Sequence, residues 1–98
     1  MAVIYISEYA TLALGGSAQI PTDPPLLDQT VAISVVAAAS SPFQAGTRFI
    51  RVAPDAVCSI LIGPPGTAAA ATNKRLPANA VEYFGVVSGQ VLSVITNT

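Results

Sequence analysis

Thr47-Arg48-Phe49-Ile50-Arg51-Val52 decides the fold class. Thr47, Phe49 and Arg51 alternate with Arg48, Ile50 and Val52, and a repeat of two residues is the signature of a strand whose side chains point to opposite faces. The same alternation runs outward in both directions. Val31, Ile33 and Val35 alternate with Ala32 and Ser34, and Val91, Ser93 and Ile95 alternate with Leu92, Val94 and Thr96. β-branched residues dominate these runs, as a buried or half-buried pleated surface favours.

Turn-forming residues punctuate the runs at short intervals: Gly15-Gly16, Pro21 to Pro25, Ser40 to Gly46, Pro54-Asp55, Gly63 to Gly66, Pro77 to Asn79 and Ser88-Gly89. They predict strands over residues 3–7, 9–14, 29–37, 47–53, 56–62, 67–73, 80–87 and 91–97. Ser88-Gly89-Gln90 between two apolar runs predicts a hairpin. Ala68 to Ala71 favours helix by propensity, but Pro64, Pro65 and Gly66 precede it and Leu76-Pro77 follows it, so a short strand is expected. About eight short strands in this length predict an all-β fold, a compact β-sandwich of jelly-roll type.

The 98 residues suit one domain, residues 1–98, with a core that needs neither disulfide nor metal. Charge is the unusual quantity. Asp, Glu, Lys and Arg make up 9% of the chain, where roughly 25% is ordinary, and hydrophobic residues reach 52%. A surface so poor in charge implies apolar area hidden against partners. With a net charge of −1 and basic residues only at Arg48/Arg51 and Lys74/Arg75, no nucleic acid partner is expected, because neutralising phosphates takes many cations on one face.

Two stretches lack charge, Gln29 to Thr47 and Ala56 to Asn73. Ser, Pro and Gly break the first and Gly63-Pro64-Pro65-Gly66 the second, so neither reads as a membrane-spanning helix. The N-terminal Met1-Ala2-Val3-Ile4-Tyr5-Ile6-Ser7-Glu8 has no basic region and no long apolar run. It does not read as a signal peptide, and the chain is expected to stay in the cell that makes it until a larger assembly leaves.

Catalysis finds no footing. There is no histidine, and the single cysteine, Cys58, sits in the apolar run Val57 to Ile62 as a buried thiol. Glu8, Asp23, Asp28, Asp55 and Glu82 are far apart and read as turn formers and strand-edge charges, Asp55 after Pro54 above all. Gly63-Pro64-Pro65-Gly66-Thr67 lacks the Lys and the N–H donors of a phosphate loop and reads as a turn. Lys74-Arg75 is expected on a solvated loop. Tyr5, Tyr9, Tyr83, Phe43, Phe49 and Phe84 are spread too widely for a sugar platform and read as core or interface anchors. No enzyme, cofactor or metal is expected.

Residues 1–14 begin strand-like with no turn before them, as a strand does that pairs outward onto a neighbour. Ile20-Pro21-Thr22-Asp23-Pro24-Pro25 must be extended; it serves either as an ordinary link or as a partner-contacting segment.

The order of elements carries a resemblance. Ile4-Tyr5-Ile6-Ser7-Glu8-Tyr9, Asp28-Gln29-Thr30-Val31-Ala32-Ile33, then Thr47 to Val52 followed by Cys58-Ser59-Ile60, resemble small proteins encoded among the head genes of tailed bacteriophages. So do Asn73 to Asn79, Glu82-Tyr83-Phe84-Gly85-Val86 and Leu92-Ser93-Val94-Ile95. The resemblance covers nearly the whole chain and lies in the order of its pieces. It implies a capsid decoration (cement) protein, made in the host bacterial cytoplasm, sitting on the outside of the virion's major capsid protein shell and often a trimer. It brings no catalytic residues. On that footing Ile4, Tyr5 and Tyr9 of the N-terminal segment, with Pro21, Pro24 and Pro25 of the link, are expected to touch partners, and deleting residues 1–8 to weaken shell binding. The alternatives are a head–tail connector or tail-associated protein, and a small soluble binding module.

Overall fold

A computed structural model describes residues 2–15, 18–21 and 25–97. Among them are β1 (Val3–Tyr9), β2 (Leu12–Gly15), β3 (Ala18–Pro21), β4 (Leu27–Ala32), β5 (Ala38–Ala39), β6 (Phe49–Pro54), β7 (Cys58–Gly63), β8 (Lys74–Leu76), β9 (Glu82–Gly85) and β10 (Val91–Thr96), with no helix. Two four-stranded sheets face each other, ordered β4-β1-β6-β9 and β5-β10-β7-β8, and β2-β3 form a ladder of their own. Every pairing is antiparallel.

Read as a ring starting at β4, the sandwich strands run β4, β5, β6, β7, β8, β9, β10 and finally β1. In the first sheet the last strand then lies between the first and the third, with the sixth outermost. In the second sheet the seventh lies between the second and the fourth, with the fifth outermost. That is the strand order of a jelly roll, with the closing strand placed first in the chain. The β2-β3 ladder occupies the link that joins this strand to β4.

The period-two reading of residues 47–52 becomes a strict alternation in β6, where Ile50, Val52 and Pro54 are buried and Phe49, Arg51 and Ala53 are partly exposed. From the first sheet the inward set is Ile4 and Ile6 of β1, Val31 of β4, and Ile50 and Val52 of β6. Cys58 and Ile60 of β7 and Leu92 and Val94 of β10 face them from the second sheet, and Ile33, Phe43 and Leu76 complete the cluster. Dispersion and removal of this apolar area from water hold the two layers together.

Four local expectations change. The strand expected over 29–37 covers Leu27–Ala32 instead; beyond Ile33 the Ser34 hydroxyl bonds the Val36 carbonyl at 3.0 Å and turns the chain, leaving Val35 and Val36 exposed. The strand expected over 67–73 does not form, because that segment spends its polar groups on side chains of the second sheet rather than on a ladder. Lys74-Arg75 lies in strand β8 rather than a loop, and the Lys74 ammonium sits 4.4 Å from the Phe84 ring centroid, bridging the sheets at one edge. Ser88-Gly89 is a turn but not a hairpin: β9 pairs with β6 and β10 with β7, so it carries the chain from one sheet to the other.

β1 is not an outward-pairing arm. It is hydrogen-bonded to β4 on one side and β6 on the other from end to end, so it offers a partner no free edge, and removing residues 1–8 removes a central strand.

Candidate interaction surface

The outer faces of the two sheets differ. On the second sheet Ser59 of β7 and Ser93 of β10 point outward yet are fully buried, because the alanine-rich segment 67–73 lies across them. The Ser93 hydroxyl accepts the Ala69 N–H at 2.9 Å, and the Ser59 hydroxyl donates to the Ala71 carbonyl at 3.1 Å. Asn97 donates to the Ser59 hydroxyl at 2.7 Å and to the same carbonyl at 3.1 Å. Alanine suits the task, since a small side chain lets backbone approach the sheet closely enough for serine to reach it. Over Ser59 and Ser93 this face is covered by the chain itself, while Leu61 beside Ser93 stays exposed.

On the first sheet the register lines up three cross-strand rows of outward side chains. Thr30, Tyr5 and Ala53 form one row and Asp28, Ser7, Arg51 and Tyr83 the next. Tyr9, Phe49 and Gly85 form the third. Tyr5 and Tyr83 are each 51% exposed. Tyr9 stacks on Phe49 with centroids 5.4 Å apart and planes 14° from parallel, and Phe49 meets Tyr83 at 6.4 Å. A shallow depression of about 570 Å³ opens among Tyr5, Ser7, Asp28, Thr30, Arg51 and Ala53. The Ser7 hydroxyl donates to Asp28 at 2.5 Å, while Arg51 has no hydrogen-bond or ion-pair partner among the described residues.

Aromatic residues that the sequence scatters over more than seventy positions therefore share one face, with Tyr9, Phe49 and Tyr83 in ring contact. Of the six residues expected to touch partners, Tyr5 is on this open face. Ile4 has no exposed surface and belongs to the core, and Tyr9 is 6% exposed beneath its stack with Phe49. Pro21 ends β3, Pro25 is partly buried, and Pro24 lies outside the described residues. Tyr83, which shares the open face with Tyr5, is one of the aromatics expected as core or interface anchors, whereas Asp28 and Arg51 are not expected there. Their only trace in the sequence is a polar residue on the outward beat of an alternating run, and register alone puts them in one row.

Glu8 is a second departure. Instead of a strand-edge charge it is fully buried at the inward end of β1. Its carboxylate accepts hydrogen bonds from the Gln44 N–H at 2.7 Å, the Thr47 hydroxyl at 2.8 Å and the Gln29 amide at 2.9 Å. The Gln29 side chain in turn accepts the Ser41 N–H at 3.0 Å. These bonds fasten the β5–β6 loop to the first sheet. Both carboxylate oxygens are engaged in holding backbone and side chains in place. Burial pushes the Cys58 thiol up to about 11, so it stays protonated and weakly nucleophilic at neutral pH.

Among the described residues no three His, Cys, Asp or Glu side chains come together as a metal site, and no helix is long and apolar enough to cross a membrane. Compared with known proteins, the chain matches no protein family, no curated protein and no solved structure. What fold and surface define is a jelly-roll sandwich with one face partly covered by its own chain and the other, over Tyr5, Asp28 and Tyr83, left exposed among the described residues.

Proposed function

We propose that this chain is a capsid decoration (cement) protein of a tailed-phage virion, binding the outside of the major capsid shell and stabilising it through protein–protein contacts. The open face of the β4-β1-β6-β9 sheet carries the reading. Its exposed Tyr5 and Tyr83 are large, rigid, amphipathic side chains of the kind that anchor protein interfaces. Support also comes from the charge-poor composition and from Val35, Val36 and Val87, which stand 80%, 71% and 66% exposed on loops at the ends of the sandwich. A protein that binds the assembled shell and not its free subunits stabilises the shell by mass action. No catalysis or cofactor is needed for that.

The test is to incubate the purified chain with capsid shells, remove the unbound fraction, and measure both bound copies and shell melting. The reading expects copies in proportion to the shell's subunits and a higher melting temperature. Binding restricted to a single vertex ring supports a head–tail connector instead, and no binding to shells overturns the proposal.

A further inference from the structure

We propose that the open face of the first sheet is self-complementary and pairs two copies of this chain about a two-fold axis running along β1. The middle row supplies the argument. Asp28 on β4 and Arg51 on β6 flank Ser7 on the intervening β1, all three pointing outward from one level of the sheet. The strands that carry the two residues lie two spacings apart, roughly 9–10 Å, and no ion pair joins them within the chain: Arg51 has no hydrogen-bond or ion-pair partner among the described residues, and the Asp28 carboxylate holds only the Ser7 hydroxyl.

A two-fold axis parallel to β1, in the plane between two facing copies, exchanges left and right across that strand. Asp28 of each copy then stands over Arg51 of the other, giving two reciprocal ion pairs, the self-matching pattern of an isologous contact. The same operation sets Tyr5 against its counterpart and Thr30 against Ala53, since Tyr5 lies on the axis strand and pairs with both. An axis at right angles to the strands places Asp28 on Asp28 and Arg51 on Arg51, and is excluded by repulsion. Strands of two aligned sheets cross at about 30°, which keeps these neighbours in reach. The face measures roughly 20 by 20 Å, about 400 Å², against the roughly 800 Å² per partner of a standard interface. The pair is therefore weak, forming where copies are concentrated. It uses the face that the proposed shell contact uses, so pairing belongs to the free chain and is given up on the shell, and it stands in place of the trimer that the phage resemblance implies.

Sedimentation of the purified chain over micromolar to millimolar concentrations tests this, with Arg51→Asp, Asp28→Arg and the double exchange as partners. The wild type should pass from monomer to dimer. Each single substitution puts like charges at both contacts and should weaken self-association by at least about a hundredfold. A mixture of the two singly substituted chains should restore the dimer as a heterodimer, and the double exchange should restore it alone. Circular dichroism melts of the variants establish that they are folded. A wild type that stays monomeric throughout, one that forms trimers, or folded single variants that associate like the wild type, overturns the proposal.

Discussion

Cys58 and the turn glycines show how far a single position is set by its surroundings. The Cys58 thiol is fully buried between the sheets, and its pKa is raised from 9.0 to about 11 by desolvation. A thiol that ionises more easily unfolded than folded favours the unfolded state once pH passes the unfolded value. Its contribution is therefore complete below pH 9 and is lost as pH rises towards about 11. Urea unfolding at stepped pH should show that decline, and Cys58→Ser should flatten it while lowering stability overall; a thiol reagent at pH 8 should label the chain only as it unfolds. At Gly66 the Pro64 carbonyl accepts the Thr67 N–H at 3.1 Å while φ is +99°, the pattern of a type II turn with Pro65 and Gly66 at its centre. Gly66→Ala meets no neighbour within 4 Å, so its cost is purely backbone, about 1–2 kcal/mol, readable as a shift in the denaturation midpoint.

At the scale of elements, polar side chains decide where irregular segments lie. The β5–β6 loop is held by Glu8, whose three hydrogen bonds come from Gln44, Thr47 and Gln29. Glu8→Ala strands the buried Thr47 hydroxyl and should cost at least about 2 kcal/mol, with early hydrogen exchange at residues 40–47; loss confined to the far loops contradicts that assignment. The 67–73 segment depends in the same way on two serine hydroxyls. Ser93→Ala leaves the Ala69 N–H unsatisfied, and protease sensitivity should rise in this segment before the sandwich melts.

The whole molecule is a ring of strands opened at an unusual place. Val3, at the start of β1, bonds Asp55, and Asn97, after β10, donates to the Val57 carbonyl at 3.3 Å, so both chain ends lie beside the β6–β7 connection. Joining residues 97 and 2 by a short linker and opening the chain within the β2-β3 ladder should give a folded protein with an unchanged far-ultraviolet spectrum, since no sandwich pairing is cut. Deleting residues 1–8 should instead abolish cooperative unfolding, because β1 supports two neighbours. The proposed shell contact belongs to this scale too: among the described residues, segment 67–73 lies across the second sheet, whereas Tyr5 and Tyr83 stand exposed on the first.

Alternation in residues 47–52 and its echo at 91–96 determined the fold class, since period two is a local property of the pleat and needs no partner to be read; the run at 31–35 leaves its strand after Ala32. Spacing of Gly and Pro determined most turns for the same reason. Tertiary structure alone decided which strands pair, and through register it decided that Asp28, Ser7, Arg51 and Tyr83 share one row. It also sent the alanine segment across the second sheet and Glu8 inward, because each is fixed by hydrogen bonds to residues 12 to 39 positions away. Local propensity carries no information over such separations; only the closed sandwich brings those groups within reach.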